Sequence, residues 1–95
     1  MPSTLKLQIV TPDGVAYSQE VAIVTLPGIE GQIGILPGHT KLMTQMVSGE
    51  IMVRKDGRAN FIAVGSGLIE VTGGGVSILT DMAVEVDKID EAKVE

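Results

Sequence analysis

The chain has 95 residues and a formal net charge of −5, with 44% hydrophobic residues but only two aromatics, Tyr17 and Phe61. That is one domain by length, with about 60 to 70% of the unfolded chain's surface available for burial. The acidic balance repels phosphate backbones and the chain lacks aromatic stacking platforms, which argues against nucleic acid as a partner.

The absence of cysteine excludes a disulfide scaffold and any thiolate zinc site. The opening MPSTLKLQIV has no apolar run long enough for a signal peptide, and nowhere do about 20 apolar residues follow one another.

From Leu5 to Val10 the residues Leu5, Leu7 and Ile9 alternate with Lys6 and Gln8, the pattern of a half-buried strand. Thr11-Pro12-Asp13-Gly14 then supplies a turn. Short extended pieces follow over Val15 to Glu20 and Val21 to Leu26, with Pro27 closing the second. In GIEGQIGILPGH, from Gly28 to His39, three glycines fall three residues apart. A collagen triplet is excluded because Pro37 stands where the next glycine belongs. A phosphate loop requires glycines between strand and helix, yet the apolar strand Ile33-Gly34-Ile35-Leu36 follows. A turn beside a short strand remains, where glycine lets the backbone bend or another surface come close.

Gly49 to Arg54 alternates again, with Ile51 and Val53 opposed to Glu50, Met52 and Arg54. Lys55-Asp56-Gly57-Arg58 is a hairpin signal, and Ala59 to Val64 is its return strand. After Gly65-Ser66-Gly67 come a strand over Leu68 to Val71, the turn Thr72-Gly73-Gly74-Gly75 and a strand over Val76 to Leu79. Strands of this length and spacing indicate an antiparallel sandwich or barrel with an aliphatic core. Met43, Met46 and Met52 read as core filling. At the C-terminus Asp87 has the character of a helix cap, with Asp90 and Glu91 favourable in a first turn.

Catalytic constellations are absent from the pattern. Thr80-Asp81-Met82 lacks the order and glycine of an aspartic protease turn, and the single His39 has no nucleophile elbow to serve. A structural or interface role is the better reading of His39. One histidine with scattered carboxylates gives no metal cluster, and Asp81 to Glu91 lacks the alternate acids and central glycine of a calcium loop.

Taken together, Thr11-Pro12-Asp13-Gly14, Val24-Thr25-Leu26-Pro27-Gly28, Gly31 to His39, Gly67-Leu68-Ile69-Glu70-Val71 and Val76 to Asp81 resemble the epsilon subunit of F-type ATP synthases, called delta in mitochondria. The resemblance runs from about residue 4 to residue 90. It implies an all-β, ten-stranded antiparallel β-sandwich over residues 1–86, with residues 87–95 the remnant start of a C-terminal helix amounting to at most a short helical turn. It further implies a non-catalytic rotor subunit in the central stalk, without cofactor or metal. Such a subunit docks on the gamma subunit and the membrane-embedded c-ring, is held at the F1-facing side of the membrane through these partners only, and is monomeric when isolated.

By motif position, Glu30, Gly31, Gln32 and Ile33 belong to the c-ring end, while Thr11, His39, Thr44 and Ser66 lie toward gamma. Most family members continue into an inhibitory helical hairpin that binds ATP in some bacteria. Here Ile89-Asp90-Glu91-Ala92 leads to Lys93 where that pattern has arginine, so neither hairpin inhibition nor ATP binding is expected unless the chain is a shortened form of a longer protein. A co-chaperonin of similar length is the alternative, and would form a stable heptamer. A small-ligand β-sandwich is a third reading, disfavoured by the lack of convergent polar residues.

Overall fold

The computed structural model describes residues 4–38 and 40–90, the side chains of residues 87–90 excepted. Ten strands follow one another: β1 (Leu5–Thr11), β2 (Gly14–Val21), β3 (Ile23–Gly28), β4 (Gly31–Ile35), β5 (Leu42–Met46), β6 (Gly49–Lys55), β7 (Arg58–Val64), β8 (Gly67–Thr72), β9 (Gly75–Thr80) and β10 (Ala83–Asp90). Hydrogen bonding runs along the path β10-β7-β6-β3-β5-β8-β9-β1-β2, with β4 paired to the free side of β3. The path folds into two layers, β2-β1-β9-β8-β5 and β4-β3-β6-β7-β10. They are joined at one corner, where Gly28 of β3 pairs with Met46 of β5.

Alternation fixes which side chains meet between the layers. Leu5, Leu7 and Ile9 of β1, Ile69 and Val71 of β8, and Val76 and Ile78 of β9 face Val24, Leu26, Ile35, Ile51, Val53 and Ile62 of the other layer. At roughly 25 cal/mol per Å² of apolar surface removed from water, these branched aliphatics supply the main favourable term in folding. On the open side of the sandwich, half-buried Tyr17 of β2 lies near Glu85 of β10. Burial pushes the Tyr17 phenol up, and the negative charge of Glu85 adds to the effect, so the ring stays neutral at physiological pH.

The sequence expectations hold for the all-β sandwich and need correction in five places. One pair is parallel: β1 runs alongside β9, with Leu7 opposite Val76 and Ile9 opposite Ile78. Parallel neighbours require a long crossover, and seven strands of intervening chain provide it. Pro27 does not close its strand, because β3 continues through it to Gly28. A residue's N–H and C=O point to the same edge of a strand, and the Pro27 carbonyl accepts from Val47 N at 2.9 Å. The donor that proline lacks therefore faces the corner where β3 has left β6, and costs no ladder bond there.

Strands β5 and β10 also form where periodicity alone gave no strand. The helix start at Asp87 is the fourth correction, since β10 stays extended through Asp90, which pairs with Ala59 after an irregularity beyond Val86. A neighbouring strand offers these residues a ladder, which outweighs a weak local helix propensity. Residues 91–95, the rest of that expectation, lie outside the described residues. The fifth concerns the methionines: Met46 fills the core at 2% exposure, whereas Met43 stands on the outer face of β5 at 68%.

The β6–β7 hairpin forms as its sequence predicts. Lys55 pairs with Arg58, and Asp56 and Gly57 both take positive φ, 55° and 78°, the signature of a type I′ turn. A Cβ added at Gly57 would meet nothing within 4 Å, so the cost of Gly57→Ala is purely conformational. It is expected to remove about 1 kcal/mol, read as a lower urea midpoint at unchanged m value. An unchanged midpoint would contradict this account of the turn.

Candidate docking site

Strand register brings five loops to one end of the sandwich. Gly28 pairs with Met46, Met46 with Gly67 and Gly67 with Thr80, while Leu79 lies beside Val10. The turns Pro12-Asp13, Ile29-Glu30, Val47-Ser48, Gly65-Ser66 and Asp81-Met82 therefore share that end. The segment joining β4 to β5, the β6–β7 hairpin and the β8–β9 turn share the other.

Polarity is divided in the same way. Exposed Ile29, Val47 and Met82 sit in the loops of the first end. Its charged residues, Asp13, Glu30, Glu50 and Asp81, are all acidic. Lys6, Lys41, Arg54, Lys55 and Arg58 lie toward the opposite end, where Lys55 Nζ donates to Gln19 Oε1 at 2.6 Å. Glu20, opposite Lys6, and Asp56, within the β6–β7 hairpin, lie there as well, so that end carries mixed charge while the first is acidic only. This asymmetry gives the domain a preferred orientation in any field set by a charged partner.

The glycines of the Gly28-Ile29-Glu30-Gly31 hairpin have separate roles. Gly28 is buried, and a Cβ there would stand 2.5 Å from Ile33 Cδ1 and 2.8 Å from the Gly31 carbonyl oxygen, so no other residue fits without a shift. Gly31 takes φ 124° and leaves the turn in a conformation closed to L side chains. The hairpin is anchored from β5 by Ile29 N donating to the Gln45 carbonyl at 3.0 Å. The result is a stiff projection that exposes Ile29, Glu30, Gly31 and Gln32, while Ile33 packs against the core.

Beside these loops, the outer face of the β2-β1-β9-β8-β5 layer carries an apolar row. Val15 lies opposite Val10, Val10 beside Leu79, and Leu79 opposite Leu68. Val15, Leu79 and Leu68 are 57%, 52% and 46% exposed. Val10, Leu68 and Leu79 line a shallow, open and predominantly apolar depression rimmed by Thr11, Pro12, Ser66 and Asp81. The next row along the face, through Gln8, Ser77 and Glu70, is polar. Apart from Met43 opposite Glu70, the rest of this face is polar, and a contiguous apolar strip in such a setting is the mark of an interaction surface.

The structure therefore brings Thr11 and Ser66 together on one rim, at the same end as Glu30. Thr44 stands apart, half-buried in mid β5 opposite buried Ile69 and so on the inner side of its strand. His39 lies outside the described residues. The apolar row itself was not singled out from the sequence, though a signal for it exists. Ile9-Val10, Leu68-Ile69 and Ile78-Leu79 put apolar residues at consecutive strand positions, so both faces of β1, β8 and β9 are apolar there.

No group of three or more metal-ligating side chains occurs among the described residues, and no helix there is long and apolar enough to cross a membrane. A half-open cleft of about 170 Å³ at the opposite end, lined by Thr4, Lys6, Glu20 and Gly73 among others, is below the size of ordinary ligand pockets, about 300 to 1,000 Å³.

Short hairpins, an aliphatic core and an apolar strip at one end define the class: a small β-sandwich domain with a candidate docking face. The chain belongs to the ATP synthase delta/epsilon family, matching the beta-sandwich domain of the delta/epsilon chain over residues 4–86. It is 35% identical to the ATP synthase epsilon chain of Lawsonia intracellularis across 100% of this chain and 71% of that one. Identity to the epsilon chain of Desulforamulus reducens is 39%, over 95% and 68% of the two chains. For Hydrogenobaculum sp. it is 45%, over 90% and 62%.

Among solved structures, a chain of the Euglena gracilis mitochondrial ATP synthase, in an assembly of OSCP, F1 and c-ring, superposes with a TM-score of 0.84 at 28% identity. The match covers 95% of this chain and 58% of that one. The central stalk and c-ring structure of the Tetrahymena thermophila mitochondrial enzyme contains the same fold, with a TM-score of 0.70 at 12% identity. The chain thus spans roughly 60 to 70% of the length of these relatives.

Proposed function

We propose that this chain is a non-catalytic rotor element of an F-type ATP synthase, docking on the gamma subunit through the apolar row and presenting the Gly28–Gly31 hairpin to the c-ring. The observation that carries this reading is the row Val10, Leu79 and Leu68, an apolar strip placed beside the hairpin so that two partners can be held at once. The presence of F1 and c-ring in the assembly that holds the Euglena relative supports it.

Thr11 and Ser66 then border the gamma contact. Thr44, turned inward, supports β5 beneath it, and Glu30, Gly31 and Gln32 form the ring-facing surface, with half-buried Ile33 packed behind them. A rotor element must transmit torque without deforming, and a close-packed aliphatic sandwich with short hairpins has that stiffness. The protein is held at the F1-facing side of the membrane by these contacts.

Mixed with its cognate gamma subunit, the protein should form a one-to-one complex by native mass spectrometry. No complex at any ionic strength would refute the gamma assignment. Glu30→Lys is expected to leave that complex intact but to weaken its co-sedimentation with c-ring vesicles by roughly threefold to tenfold, the range for an interfacial charge. Equal co-sedimentation would remove Glu30 from the ring contact.

A further inference from the structure

Thr80 is the one buried polar residue among the described residues, 7% exposed at the end of β9. Valine has the same shape, and the inward residues that precede Thr80 on β9, Val76 and Ile78, are aliphatic, so the strand pattern itself calls for no hydroxyl here. Burying a hydroxyl is unfavourable unless it is hydrogen-bonded. The Thr80 hydroxyl has acceptors in two different loops: the Ser66 carbonyl at 3.1 Å, the Met82 carbonyl at 3.2 Å and, at 3.5 Å, Asp81 Oδ1. Its single proton is shared among them. Gly65 N donates to the same Met82 carbonyl at 3.2 Å, closing a small network outside the strand ladders.

We infer that Thr80 is a positioning residue for the docking surface. Its hydroxyl ties the Ser66 loop to the Asp81-Met82 turn, and so fixes the rim of the depression whose floor is Leu68 and Leu79. A partner then meets a rim already in its bound shape and does not bear the entropic cost of ordering two loops. The inference rests on the reading of that depression as the gamma-docking surface.

The test compares Thr80→Val, which keeps the shape and loses the hydroxyl, with Thr80→Ser, which keeps the hydroxyl. Affinity for the cognate gamma subunit is measured by titration calorimetry at 25 °C, well below the unfolding transition followed in parallel. Thr80→Val is expected to bind roughly tenfold more weakly, and Thr80→Ser to stay within about threefold of the parent protein. A residue that serves stability alone would lower the melting temperature and leave affinity at 25 °C unchanged, and that result overturns the inference.

Amide exchange on the unsubstituted protein gives an answer even if Thr80→Val does not fold. Gly65 N–H is expected to be protected in the free protein as much as in the complex. Protection that appears only when gamma is added would show that the partner orders the rim, and overturns the inference as well. Failure of the unsubstituted protein to bind gamma refutes the docking reading itself, a result distinct from intact binding by Thr80→Val.

Discussion

Ile78→Ala is expected to lower the stability of the domain by about 2 to 5 kcal/mol, a large share of the roughly 5 to 15 kcal/mol that holds a domain of this kind together. Ile78 is fully buried at the centre of its layer, flanked by Ile9 on β1 and Ile69 on β8, both also at 0% exposure. Both flanking residues are held in ladders, so neither can move in to fill the space of the lost branched side chain. The cost is therefore the lost transfer energy plus that of a cavity. For a chain of this length each kcal/mol corresponds to roughly 4 to 8 °C of melting temperature. Calorimetry or urea unfolding reads the effect directly. A loss below about 1 kcal/mol would mean that the two layers close over the gap and that this core is not tightly packed.

The parts of the fold that could be read from the sequence are those where one signal acts alone. β1 was legible because Leu5, Leu7 and Ile9 alternate with polar neighbours, and all three are buried. The Asp56-Gly57 turn was legible because positive φ at two consecutive residues restricts the residue types that fit. β5 was not, because Leu42-Met43-Thr44-Gln45-Met46 puts exposed Met43 among inward positions held by half-buried Leu42 and Thr44, which blurs the period.

β10 was missed because its identity as a strand comes from the partner β7, in pairs such as Val84 with Ala63 and Val86 with Phe61. The parallel neighbours β1 and β9 could not be inferred from local pattern at all. The docking site follows the same logic: the hairpin glycines announce themselves, whereas the apolar row exists only once β1 is laid beside the β8–β9 hairpin, far away in sequence.

The residue next to Ile78 should behave in the opposite way. Leu79 shares a strand with it but points to the other face, 52% exposed, with Val10 and Leu68 on either side. Leu79→Asp places the carboxylate in water in the free protein, so stability should change by no more than about 0.5 kcal/mol. In a complex with gamma the same carboxylate would be driven into the apolar strip without a partner, a cost of several kcal/mol. The dissociation constant is therefore expected to rise by roughly 100-fold or more, the loss typical of a central interface anchor.

Val84→Asp is the control, since Val84 is 57% exposed but lies on the outer face of the other layer. It adds the same charge and should leave gamma affinity within about threefold of the parent, as for a residue outside the interface. Equal weakening by the two substitutions would show that net charge governs the encounter. An unaffected Leu79→Asp complex would place the gamma contact elsewhere on the sandwich. Adjacent residues on one strand, one governing folding and the other docking, are thus separable by two measurements, because the period of a strand assigns them to opposite faces.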